Sequence, residues 1–337
     1  MAEIKDESGD EQEEKPSTEI ELIAGETLPE EVPEKIEVDH SKLYVWVADA
    51  GNNRIQKFDG NGKFLLSFGR PGGTRAPYAE GEFKTPGDMT IDVNGNIWVA
   101  DTGCHRIQIF DPEGNYIFEF GSEGWGQEKF YWPEAIVAEA TGTFLVADTS
   151  NHCVKRYDDE GDFLLSFGLA GDFDGFMKFP TGLALDREGN IYVADRDNQR
   201  IQVFDVNGQF MFKFGEYGFE TGRFNFPSSL VVRRDGSLLV AEKSQNRLQL
   251  FSREGEWLDV YGEMGKRDGQ FNCPVDIVED PYGYVFVVDT LNQRIQKFDP
   301  EMNFVSKWGI IGKETGQFKD PTGICLSWEP DWAPQEE

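Results

Sequence analysis

Between residues 182 and 215 short apolar runs alternate with polar turns in a fixed order. "GLALD" (182–186) is an apolar run, "REGN" a turn whose Gly can take positive φ. "IYVAD" (191–195) is rich in β-branched and aromatic residues. After the polar "RDNQ", "RIQVFD" (200–205) alternates polar and apolar positions as a half-buried strand does. "VNG" turns the chain once more and "QFMFKFG" (209–215) forms a fourth strand. The pattern predicts four short strands per unit.

The same order recurs along the chain. An anchor of the form V-x-D/E ends at Asp49, Asp101, Asp148, Asp195, Glu242 and Asp289, with spacings of 52 and then four times 47 residues. An aromatic-Gly anchor falls at Gly69, Gly121, Gly168, Gly215, Gly262 and Gly309 with the same spacings. Prolines follow at 86, 133, 180, 227, 274 and 321, always 47 apart. Six four-stranded copies with a period in the forties predict an all-β, six-bladed β-propeller. Three residues before each acidic anchor stand Trp46, Trp98, Leu145, Tyr192, Leu239 and Phe286. One large side chain per blade at one depth predicts the packing layer between blades, each contributing roughly 1.5–3 kcal/mol on burial. The Phe of the Gly-rich linkers at 215–227, 262–274 and 309–321 is expected to plug the gap between blades.

The strand count predicts how the ring closes. "PTGICLS" (321–327) reads as a first strand with no blade after it, whereas "PEKIEVD" (33–39) is the weaker alternative for the inner strand of the first blade. Closure by the C-terminal segment leaves no free sheet edge. The expected division is an acidic tail over 1–32, a propeller over 33–327 and a short tail over 328–337.

Composition narrows the function. The 337 residues carry 62 acidic and 32 basic side chains, a formal charge of −30. Such a field repels nucleic acid and anionic membranes and favours basic partners. Residues 1–32 hold twelve Asp/Glu against two Lys, a solvated tail or a docking arm for a basic protein. The four Cys are irregularly spaced, which suits a reducing compartment. No basic-then-apolar leader and no apolar run of spanning length is visible, so a cytoplasmic location is expected.

The wording "VAD…NRIQ.FD..G.F…FG", repeated six times over about residues 43–327, resembles the NHL repeat. The resemblance implies a six-bladed NHL propeller. Some propellers of this kind are peptidyl-hydroxyglycine lyases that hold zinc through His just after the blade Pro. The matching positions here are Gly87, Glu134, Thr181, Ser228, Val275 and Thr322, none of them His, so that activity is not carried over. Other NHL domains bind RNA on a basic face, which the acidic balance disfavours. Six-bladed lactonases hold a metal in the pore, and Asp88, Glu134 and Asp276 would supply hard-cation ligands there.

Other candidate chemistry is sparse. The D-x-x-N-x-R loop pairs an acid with Arg in five of six copies, too often for a catalytic pair, and reads as structural. Turns such as "DVNGN" lack the far bidentate Glu of a calcium loop. Cys104-His105 and His152-Cys153 occupy neighbouring blade loops and are suitable zinc ligands, although the other copies place Asn53, Gln199, Asn246 and Gln293 in the His position. The linker "GRPGGTRAPYAEGEFKTP" (69–86) is five residues longer than the others and offers Arg70, Arg75 and Tyr78 to a partner. Trp328 and Trp332 are a second candidate anchor. The chain is therefore expected to be a non-enzymatic interaction or scaffold protein without a required cofactor. A metal-dependent pore enzyme using calcium or zinc is the alternative, and RNA binding the second.

Overall fold

A computed structural model describes residues 38–73 and 77–329. Six antiparallel four-stranded sheets follow one another in the order the repeat predicts. The fourth, as an example, runs Pro180–Leu185, Ile191–Asp195, Arg200–Phe204 and Phe210–Phe214. The first joins Leu43–Asp49, Arg54–Asp59 and Phe64–Phe68 to the last strand of the chain, Pro321–Trp328. Its register sets Leu43 opposite Trp328, Val45 opposite Leu326 and Val47 opposite Ile324. The C-terminal clasp is therefore the inner strand of the first blade, extended by one residue to Trp328. The alternative at 33–39 does not hold that place: residues 33–37 lie outside the described residues, and Asp39 caps a short 3₁₀ turn at His40–Lys42.

The packing layer follows from the strand pattern. Trp46, Trp98, Leu145, Tyr192, Leu239 and Phe286 are all at most 2% exposed. Each hydrophobic cluster is shared by neighbouring blades; Trp46 and Ile55, for instance, pack with Ile97 and Phe110 of the next. Trp98 stacks on Phe144 across a blade junction, with ring centroids 3.7 Å apart. The linkers insert Phe83, Phe130, Met177, Phe224, Phe271 and Phe318, which are all buried.

The linkers are more regular than their sequences. Five are pinned by a single parallel bridge, such as Tyr217 to Phe224 or Ile311 to Phe318. The long first linker makes the same contact, because Pro71 pairs in parallel with Phe83. The ends of this longer linker thus match those of the others. Among the described residues no helix is long and apolar enough to cross a membrane.

Candidate functional site: the channel mouth and its loop face

The antiparallel order sends both the loop after each acidic anchor and the linker to the next blade to one end of the ring. Their mutual hydrogen bonds fix this: Arg200 donates to the carbonyls of Asp172, Phe173 and Phe176, and Asn198 Nδ2 to that of Gly171. The buried anchor carboxylate organises each junction. Asp195 Oδ1 accepts from Lys178 N–H, while Oδ2 accepts from Asn198, Arg200 and Gln202. The acid–Arg pair is structural, as its repetition implies. The third blade has Cys153 at the Arg position, and Lys155 supplies the cation instead, 2.7 Å from Asp148.

The two His do the work of the amides at their position. His105 Nδ1 accepts from Trp132 N–H at 3.0 Å and His152 Nδ1 from Phe179 N–H at 3.1 Å. Asn53, Gln199, Asn246 and Gln293 accept from Thr85, Phe226, Cys273 and Asp320 in the same way. Each donor precedes the blade Pro and has positive φ. The position is a latch between blades, and its requirement is an acceptor. Burial pushes the Cys153 thiol up to about 12 and the Cys104 thiol higher still, so both stay protonated. His105 and His152 each spend Nδ1 on the latch.

A central cavity of about 570 Å³ runs between the inner strands. Asp88 and Asp276 line it two residues after their Pro. Asp88 accepts from the amides of Met89 and Ile136, and Asp276 from Ser229 Oγ, Ile277 N–H and Ile324 N–H. Gly323 lies between them, where an added Cβ would come within 2.6 Å of Asp88 Cα. Desolvation raises the Asp276 carboxyl to about 6. Desolvation, reinforced by the Asp276 charge, raises Asp88 well above its ordinary range. Cys325, beside both, is also held protonated by burial. Glu134 lines the mouth one residue after its Pro; burial raises it against the pull of Arg196 and Lys243. Asp88 and Asp276 are close enough for their charges to interact, whereas Glu134 responds to Arg196 and Lys243 instead. Among the described residues the one acidic group with ligand atoms mutually within 4.8 Å is Asp158, Glu160 and Asp162, in an exposed hairpin turn. There Asp158 accepts from the turn's own amides.

The expected partner residues are scattered. Arg70 is exposed and 3.7 Å from Glu82. The Tyr78 ring lies 5.9 Å from the Arg106 guanidinium. Trp328 ends the clasp against Tyr282, centroids 6.0 Å apart. Arg75 and Trp332 lie outside the described residues. What the sequence did not disclose is an apolar loop face: Trp125, Phe173, Met264 and Ile311 are 71–73% exposed, with Leu169, Tyr217, Phe219 and Ile310 also exposed nearby in the linkers. The recurrence of Tyr217, Met264 and Ile311 two residues after the aromatic-Gly anchor was the available signal.

Three segments, residues 83–110, 130–157 and 177–204, match the family described as NHL repeat. The chain is 40% identical over 57 residues to Protein brain tumor of Drosophila melanogaster (17% of this chain, 6% of that protein). It is 32% identical over 96 residues to a probable peptidyl-alpha-hydroxyglycine alpha-amidating lyase of Caenorhabditis elegans, covering 27% of this chain and 26% of that protein. NHL repeat-containing protein 2 of Bos taurus is 36% identical over 87 residues, 25% of this chain and 12% of that protein. The matched part thus spans about a quarter or less of each relative. A solved nidogen/laminin complex contains a chain similar in fold, with a TM-score of 0.61 at 14% identity, covering 84% of this chain and 98% of that one.

Proposed function

Because the chain is a six-bladed β-propeller of the NHL-repeat family, we propose that it works as a rigid, non-enzymatic interaction module whose loop face docks another protein. The observation that carries this reading is the recurrence of exposed Trp, Phe, Tyr, Met and Ile side chains in five successive linkers of that face. Large aromatic side chains are the commonest anchors of protein interfaces. The charge of −30 favours a partner with a basic surface. The lyase chemistry named for the nematode relative is not proposed here. No His follows any blade Pro, and the Asp88 and Asp276 carboxyls are engaged with backbone amides.

The test is affinity purification from native lysate with three proteins: wild type, a face variant (Trp125→Ser, Phe173→Ser, Phe219→Ser, Ile311→Ser) and a rim variant (Leu164→Ser, Met211→Ser). A protein that co-purifies with the wild type and the rim variant, and weakens tenfold or more with the face variant, is expected. Equal recovery with the face variant, or no stoichiometric companion at all, would contradict the proposal.

A further inference from the structure

The channel mouth follows a rule that the repeat alone does not reveal. At each blade junction one hydroxyl donates to the carbonyl of the next blade's Pro, and it comes from one of two positions. In the second, third and sixth blades it is the residue after the acidic anchor: Thr102, Thr149 and Thr290 donate to Pro133, Pro180 and Pro321 at 2.6, 2.7 and 2.8 Å. In the first, fourth and fifth it is the residue after the blade Pro: Thr322, Thr181 and Ser228 donate to Pro86, Pro227 and Pro274 at 2.7, 3.4 and 3.3 Å. Whichever position takes the bond, its counterpart is released. The released residues are Ala50 and Gly87 in the first two blades, Glu134, Arg196 and Lys243 in the third to fifth, and Val275 in the sixth.

The charged ones are therefore consecutive. They make one half of the mouth polar and leave the other half small or apolar. Arg196 is held by Asp197 at 2.7 Å and lies 3.9 Å from Glu134. Lys243 differs. It lines the cavity, and among the described residues its ammonium has no hydrogen bond and no carboxylate within 4.0 Å. The channel walls carry Ile136, Leu183, Leu230, Val231 and Ile277, interrupted by Asp88 and Asp276, whose carboxyls are taken up by backbone amides and Ser229.

From the released positions we infer that the channel mouth is a binding site for a monocarboxylate on an apolar body, with Lys243 taking the carboxylate. Arg196, already paired with Asp197, lines the same half of the mouth, and the apolar side chains of the channel walls take the apolar part. A cavity of about 570 Å³ accommodates an aryl-alkyl chain. The negative charge of the whole chain does not prevent this, because at physiological salt exposed charges beyond about 8 Å are screened. Such a carboxylate is presented by a free small acid or by the C-terminus of a polypeptide with an apolar last residue.

Titration calorimetry on the full chain with four probes separates these sources. The probes are 4-phenylbutyrate, its uncharged amide 4-phenylbutanamide, and a hexapeptide ending in Phe as free acid and as amide. Each acid that binds should exceed its own amide by tenfold or more, the effect of a charge-assisted hydrogen bond. Lys243→Met and Lys243→Gln should each remove that advantage, and Lys243→Arg should keep most of it. Binding of the small acid alone identifies a metabolite site, and tighter binding of the peptide acid a C-terminus site. Equal binding of acid and amide, an unchanged affinity in Lys243→Met, or no binding of either acid at millimolar concentration would overturn the proposal. The docking reading rests on the exposed linkers instead, and neither result here decides it.

Discussion

His105 and His152 illustrate how a residue's identity follows from one backbone group. The N–H they accept belongs to Trp132 or Phe179, residues held at φ 58° and 53°, a conformation costing on the order of 1–3 kcal/mol for a non-Gly residue. The latch helps offset that cost by satisfying the amide. It requires an unprotonated Nδ1, and burial keeps both imidazoles below their usual pKa. With the folded value below the unfolded one, the contribution is complete above about pH 6.5. It is withdrawn as pH falls below that value, because the unfolded chain binds the proton first. In urea denaturation the double variant His105→Asn, His152→Asn should keep wild-type stability at pH 7.5 and lose less of it between pH 6.5 and 5. A slope equal to the wild type would contradict the latch. The sequence disclosed that this position is polar, since Asn and Gln fill it elsewhere. It did not disclose the acceptor role, because the donor lies 27 residues away across a blade junction.

At the scale of the element, strands were readable because alternation and turn chemistry are local, and six copies average out the exceptions. Closure was readable by counting, since an unpaired first strand at 321–327 needed a sheet with three strands. The third blade shows what local pattern misses. Cys153 looks like a lost anchor, yet Lys155, in the position held by Gln56, Gln108, Gln202, Gln249 and Gln296 elsewhere, reaches Asp148 and the carbonyls of Gly126 and Lys129. Lys155→Gln should therefore cost about 3–5 kcal/mol, because it strands a buried carboxylate. Adding Cys153→Arg to Lys155→Gln rebuilds the arrangement of the other blades and should recover most of that loss. A double-mutant cycle in urea checks this, and additive losses would show that Lys155 is not the substitute.

At the scale of the molecule, the repeat makes a nearly symmetric disc, and function belongs to what breaks the symmetry. The expected metal ligands and partner residues sat at sites that drew attention by residue type: Cys, His and carboxylates for metal, Arg, Tyr and Trp for a partner. The structure ties several of them to the frame: Cys104 and Cys153 as protonated thiols, Tyr78 under Arg106, Trp328 in the clasp. The asymmetry that remains is topological. Exposed apolar side chains of five linkers lie on one face, and released charges collect in one half of the mouth. Neither is visible until the ring is closed, because each involves residues from different blades.

The most direct measurement of the docking claim is hydrogen exchange on the complex with whichever protein co-purifies, compared with the free chain. The account predicts slowed exchange in the linkers at 122–131, 169–178, 216–225, 263–272 and 310–319, with the outer strands Phe163–Phe167 and Phe210–Phe214 unchanged. Protection confined to outer strands or to the opposite turns, with the linkers exchanging as in the free chain, would contradict it.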